Sequence, residues 1–422
     1  MNSSTLYPLR AVRALALQAQ RLSTPHRQTP SPDVEDVYQT IEQIGWIQID
    51  TLQVVHRSQY LTLWSRLGTY NTEYLDHLLF DGGNTSPDNK RRLFEYWAHA
   101  ACIIPLKEYR FWRPMMRRQV ERETGRRGTW AHEDENAKLL RSVIKQIEAA
   151  GAARPVDFRT EQKAAGTWWN WDQAKIALEH LYNTGQLAIS NRINFQRIYD
   201  VPARVLPNWV DRKEPTEEEA FRHLLEISIQ AHGICQPAQV GDYFHMKRTE
   251  SKPIIDAMIA DGSFLSVQAK LVDDQVHQML VHPDNLPLLE MAAEGEITPG
   301  RTTFLSPFDS LFWAKGRDTS FWNFRQVLEC YKPAEIRRWG YFCLPILYRD
   351  KLVGRFDPKV ERQTGVMRLK KLYLEPKVRP SNRLIWSISR AMKDFMCFHQ
   401  ARDLVIEHSD PPEFGAKLMA AI

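Results

Sequence analysis

Residues 139–158, LLRSVIKQIEAAGAARPVDF, carry apolar side chains at helical spacing up to Gly151, and Pro155 follows four residues later. Residues 221–240, FRHLLEISIQAHGICQPAQV, repeat that plan with Gly233 and Pro237. Glycine accepts the left-handed backbone that ends a helix, and proline cannot continue one. Each segment leads to a second amphipathic stretch, KIALEHLYNTGQL at 175–187 and KPIIDAMIADGSF at 252–264. In both, a Lys (Lys175, Lys252) stands ten residues before a Gly (Gly185, Gly262). The apolar period then drops from 3.6 to 2. Alternating residues with Asn191, or Asp273–Asp274, near the turn predict two hairpins.

Helix, turn, helix and hairpin make a winged helix, and two copies with matched Gly, Pro and Lys spacing are an internal repeat. Such modules bind either DNA or other proteins. The N-terminal region reads as a divergent third copy. RAVRALALQAQRL is its first helix, and SPDVEDVYQTIEQIG its second, opening at Ser31–Pro32 and closing at Gly45. Residues 340–376 alternate, with turn signals at Arg349–Asp350 and Thr364–Gly365, which predicts an antiparallel sheet or small barrel. An amphipathic helix over 381–402 closes the chain. The expected class is α+β: winged helices over 1–130, 131–212 and 213–298, then a C-terminal antiparallel β-barrel over 299–422.

A length of 422 residues suits two to four units of about 100–200 residues each. With 43% hydrophobic and 25% charged residues the composition is that of a soluble globular protein. No apolar run approaches a membrane span, and the N-terminus lacks the unbroken apolar segment of a signal peptide. The five cysteines include no CxxC pair, so neither a disulfide framework nor a zinc finger is expected, and a reducing cytoplasm is. Lys and Arg exceed Asp and Glu by 56 to 51, and the pI is near 8.8. That excess permits a nucleic-acid partner without demanding one.

One stretch is chemically odd. GWIQIDTLQVV, residues 45–55, sets Gln48 and Asp50 two apart among apolar neighbours. In a strand, side chains alternate faces, so Ile47 and Ile49 would enter the core while Gln48 and Asp50 emerge together. Such a pair could hold one water, or it could be a solvated strand face.

The stretch IQIDTLQVVHRSQYLTLWSRLGTY resembles the signature of the winged-helix DNA glycosylases of the YcaQ and AlkZ family, which unhook DNA interstrand crosslinks. EYWAHAACIIP (95–105), NFQRIYD (194–200), LSPFDSLFW (305–313), LECY (328–331) and GYFCLPIL (340–347) extend the resemblance over nearly the whole chain. Gln48–Ile49–Asp50 is similar to the Gln–apolar–Asp of the YcaQ branch, where the AlkZ branch has Gln–apolar–Gln. The family often carries an acid after the His of YWAH; here Ala100 follows His99.

The resemblance implies three tandem winged helices and a barrel around a DNA channel, and monofunctional excision of N7-alkylated guanine, including crosslink unhooking. It implies Asp50 and Gln48 as the catalytic pair. An N7-alkylguanine is cationic and leaves readily, so the enzyme need only stabilise an oxocarbenium-like sugar and activate water, and a carboxylate does both. The motif holds no Lys to form a Schiff base. His56, Arg57, Ser58, Tyr60 and, further on, Arg66 are candidate DNA contacts, as are His99 and Arg197 in the matching segments. Glu95 and His99 would share a face if that stretch were helical, which suits an ion pair or hydrogen bond better than a metal. No metal or other cofactor is expected. The partner is double-stranded DNA with alkylated or crosslinked guanine, and the protein is expected to be a monomer.

Further basic stretches are the arginine-rich residues 110–128, RLKK at 368–371 and IRR at 336–338. Ser306 and Asp309 of LSPFD suit turn chemistry, with Asp309 capping backbone amides. The alternative function is a non-catalytic winged-helix transcription regulator. A regulator has no use for a paired Gln and Asp outside its recognition helices. A charge-led, lesion-seeking protein binds duplex DNA with steep salt dependence and little sequence preference. A titration at several salt concentrations against two unrelated duplexes measures this, and a strong operator preference would favour the regulator.

Overall fold

A computed structural model describes residues 5–26, 30–80, 90–122, 133–158 and 171–422. The chain packs as two compact units. One takes residues 1–72, 98–102 and 224–422; the other takes 73–97 and 103–223. Packing thus groups the chain differently from the four sequence segments. Among the described residues, no helix is long and apolar enough to cross a membrane.

In the smaller unit, the helices Asp134–Ala150 and Trp171–Asn183 are followed by the antiparallel strands Ala188–Ile193 and Gln196–Asp200. The helix Asp134–Ala150 ends at Gly151, in the left-handed region at φ +97°. Glu95 lies in a strand, Leu93–Trp97, rather than on a helix, and its carboxylate binds Arg192 at 2.6 Å. The helix Tyr109–Arg122 carries part of the arginine-rich segment; residues 123–128 of that segment lie outside the described residues. Arg110 pairs with Asp211, Arg113 and Arg117 with Glu214, and Arg118 with Glu217. These guanidinium groups are held by carboxylates of their own unit.

In the larger unit, the helix Arg248–Ala260 leads to the hairpin Leu265–Lys270 and Val276–Val281. The N-terminal residues Leu6–Tyr7 join this hairpin as a parallel strand. The helix Leu9–Ala19 buries Ala11, Val12, Ala14, Leu15, Ala16 and Leu17 against Met279, Val281, Leu305, Phe321 and Leu347. Its small residues admit close backbone approach: a Cβ on Gly233 would stand 2.8 Å from the Leu15 carbonyl oxygen.

The C-terminal sheet runs Thr302–Phe304, Leu344–Tyr348, Lys351–Glu361, Val366–Leu374 and Asp403–Ile406, with Ser409–Asp410 also on Val366–Leu374. It curls into a half-barrel and does not close, which corrects the expected barrel. It is also not wholly antiparallel. The helix Asn382–Phe398, capped by Ser381, explains both departures. It returns the chain to Val366–Leu374 in parallel, so the last strands never reach the Thr302–Phe304 edge.

What positions the site is the docking of the helix Ser58–Leu67 on this half-barrel. Trp64 is wholly buried, its ring 4.8 Å from Phe395 and 5.9 Å from Phe304. At one end Ser58 Oγ meets Ser306 Oγ at 3.0 Å. At the other Arg66 donates from both terminal nitrogens to Asp309, one bond measuring 2.9 Å. Neither side chain of this ion pair is exposed. Breaking a buried pair strands a charge in a place with no water, at a cost of about 3–5 kcal/mol. Asp309→Ala should therefore lower the thermal midpoint sharply, as followed by circular dichroism or calorimetry. A double exchange to two apolar residues of similar volume should recover most of the loss.

Candidate functional site

The site begins where the helix Val34–Gln43 ends. Gly45 takes φ +79° and lies so close to Ile227 that a Cβ would stand 2.7 Å from its Cγ2. Trp46 follows, buried, with its indole nitrogen donating to the Tyr243 carbonyl at 3.3 Å. Ile47 enters the core, and the Ile49 amide donates to the Ala101 carbonyl at 2.8 Å.

The strand is shorter than its pattern suggests, covering Ile47–Gln48 alone. Gln48 is half-buried. Asp50 does not emerge beside it on an open strand face: it turns inward and is only 9% exposed. The cause is local. Asp50 Oδ1 accepts the Leu52 N–H at 2.7 Å, the bond that lets an Asp bend its own backbone. Its other oxygen, Oδ2, faces the Tyr331 hydroxyl at 3.4 Å, long for a hydrogen bond. Burial pushes the Asp50 carboxyl above the ordinary carboxylate range, and those two donors hold it back. A carboxylate short of water but still charged is a better proton acceptor than a solvated one.

The other expected contacts divide. Ser58 and Arg66 are buried and spent on Ser306 and Asp309, so neither is presented to a phosphate. Arg66 also donates to the Gln20 side chain at 3.0 Å. Asp309 does cap a backbone amide, that of Leu311 at 3.0 Å, besides holding Arg66. Arg57 and Tyr60 are half-buried at the head of the helix.

His56 packs on Tyr60 and Phe398, with ring centroids 4.4 and 5.7 Å away. Burial, with His399 and the arginines Arg362 and Arg57 adding to it, pushes its pKa down to about 3. His99 stacks on Trp313 at 4.6 Å, and its Nδ1 lies 3.2 Å from the Asp242 carbonyl. Burial and His245 lower it likewise to about 3. Both rings are therefore neutral near pH 7 and offer no charge to a phosphate. Arg197, in the other unit, lies over Trp97 and Tyr182 and 3.8 Å from Glu179. Among the described residues, no group of three or more His, Cys, Asp or Glu is gathered as a metal site.

Tyr331 is the residue the sequence did not single out. It belongs to LECY, but its nearness to Asp50 spans 281 residues, which no spacing reveals. Its one advance signal is a large aromatic at the head of a segment, YKPAEIRRWG, that is broken by a Pro and closed by a Gly.

Two comparisons bear on the whole chain. A family model described as AlkZ-like, DNA glycosylase AlkZ-like, matches residues 41–395. The structure is similar to that of the DNA glycosylase AlkZ of Streptomyces sahachiroi, with a TM-score of 0.60 at 14% identity. The match covers 96% of this chain and 100% of that one.

The Asp50 carboxyl should titrate above the model-peptide value of about 3.9. Carbonyl-carbon NMR of labelled protein, compared with Asp50→Asn to assign the signal, reads the midpoint. A midpoint at or below that value would mean that the donors outweigh burial.

Proposed function

The chain belongs to the AlkZ-like DNA glycosylase family, and we propose that it hydrolyses the N-glycosidic bond of N7-alkylated guanine in duplex DNA, crosslinked guanine included. The observation that carries this reading is the partly desolvated Asp50 carboxylate, two residues along the chain from the half-buried Gln48.

Alkylation at N7 makes the guanine cationic, so the base leaves without protonation. As the C1′–N9 bond breaks, its electron pair neutralises the base and positive charge develops on the deoxyribose. The Asp50 carboxylate stabilises that charge across a short, poorly screened distance. It also accepts the proton of the water whose oxygen bonds to C1′. Gln48 orients this water, accepting with its carbonyl or donating with its amide. The products are free base and an abasic site. With no Lys in the motif the reaction stops there, without strand cleavage.

On the same reading the helix, helix and hairpin segments act as three winged helices along the duplex, and a single copy of the chain suffices. Asp50 at the third motif position sides with the YcaQ branch. Of the expected phosphate contacts, Arg57 and Tyr60 at the head of the helix Ser58–Leu67 remain the best placed.

Asp50→Asn keeps size and shape but removes both the charge and the proton acceptor. Single-turnover release of N7-methylguanine should slow by about 10²- to 10⁴-fold. Affinity for the lesion duplex should hold or rise, since one negative charge is removed from a protein that binds a polyanion. In the unaltered protein, release should fall as pH drops through the raised Asp50 pKa, because only the ionised form accepts a proton. Base release by the Asn variant at the original rate would overturn the assignment.

A further inference from the structure

We propose that Tyr331 is a substrate-positioning residue, its ring a stacking face for the damaged nucleotide and its hydroxyl a guide for the Asp50 carboxylate. The proposal deepens the glycosylase reading and rests on it.

Three observations meet at this side chain. The first is placement: the hydroxyl lies 3.4 Å from Asp50 Oδ2. The second is exposure. Tyr331 is 67% exposed, although its tip reaches a carboxylate that is itself buried. A single exposed aromatic needs no explanation by itself. One whose tip reaches a buried carboxylate lies within reach of whatever that carboxylate acts on.

The third is rigidity. Tyr331 ends the short 3-10 helix Glu329–Tyr331. The Glu329 carboxylate, buried, accepts the backbone N–H groups of Arg338, Trp339 and Gly340 at 2.9, 2.7 and 3.2 Å. Arg337 closes the loop from the other side, donating from Nε to the carbonyls of Glu329 and Lys332. Phe308 meets the Tyr331 ring edge-on at 6.3 Å. A turn held this firmly presents its ring in one place, so less conformational entropy is lost when a base settles on it.

The chemistry matches the substrate class. Any base can stack on a phenol ring. A base carrying positive charge gains more, because the ring face is electron-rich and attracts cations. An N7-alkylguanine is such a base, so this platform favours damaged over undamaged purine. The hydroxyl stays protonated at neutral pH, because burial and the Asp50 charge push its pKa up to about 12. It therefore donates to Asp50 and favours the ionised carboxylate. Cys330 of the same turn also bears on Asp50, and burial raises it too.

The test uses the full chain with Tyr331→Phe, Tyr331→Leu and Asp50→Asn. Binding is titrated with a duplex holding one 2′-fluoro-N7-methylguanine, which resists release. Rates come from single-turnover release of N7-methylguanine between pH 5 and 8. The Phe variant should bind normally but show its acid limb at higher pH. The Leu variant should bind the lesion duplex roughly 5- to 150-fold more weakly, with much less loss on undamaged duplex. Thermal midpoints should not move, since the ring is mostly exposed. If Asp50→Asn is inactive while both Tyr331 variants match the original protein, the proposal falls and the glycosylase assignment stands. If both variants lose rate and thermal stability together with an unshifted acid limb, Tyr331 is scaffold and the proposal also falls. If Asp50→Asn releases base at the original rate, the reading beneath it falls whatever the Tyr331 variants do.

Discussion

The buried ion pair between Arg66 and Asp309 is the constraint on which the rest of the site depends. Both side chains are sealed from water, so each charge is tolerable only because the other is there. Asp309 uses its remaining capacity on the Leu311 amide, and Arg66 uses its own on Gln20. Arg301, equally buried, donates to the backbone carbonyls of Ser65 and Arg66, and burial beside Arg66 pushes its pKa down to about 9. Two guanidinium groups are thus buried close together, Arg66 neutralised by Asp309 and Arg301 held by backbone carbonyls. Helix Ser58–Leu67 cannot slide on the half-barrel without unpairing them. Motif and barrel meet through that helix, so the distance from Asp50 to Tyr331 is set by polar bonds rather than by apolar contact alone.

Local structure was legible in the sequence to the extent that its causes are local. The glycines at 151 and 233 do take positive φ, and the paired helices and hairpins after them stand where the apolar periods place them. Gln48 and Asp50 drew notice because a carboxamide and a carboxylate are costly among apolar neighbours. What failed was alternation carried two residues too far. A two-residue strand gives way to an Asp that bends its own backbone, and the carboxylate turns in. Sheet closure failed for a related reason. Strand count is readable from turn spacing, but the direction in which the chain returns after a helix is a tertiary choice.

Charged residues are the least legible, and for one physical reason. An Arg in a polar stretch looks the same in sequence whether it faces phosphate or a carboxylate far along the chain. Arg66 finds Asp309 at a separation of 243 residues, and Arg110, Arg113, Arg117 and Arg118 find acids about a hundred residues on. The histidines differ in kind. His56 and His99 lie among aromatic rings that exclude water, so they act as neutral, flat packing groups. A modest net charge of +5 therefore says little about which surface is free to meet DNA.

The strand Leu6–Tyr7, paired in parallel with Gln268 and Ala269, has a consequence for synthesis on the ribosome. The larger unit is assembled from both ends of the chain, whereas the smaller lies almost wholly within residues 73–223. The smaller unit has all its own residues when about half the chain has emerged. The Gln48–Asp50 stretch and the helix after it are made well before their partners Ser306, Asp309 and Tyr331. Contacts of such long sequence separation form slowly, because distant segments must first be brought together. Through that interval the apolar helix Leu9–Ala19 stands without its partners, Met279, Val281 and Leu305. A nascent chain of this design leaves that apolar helix open to aggregation until the partner strands emerge.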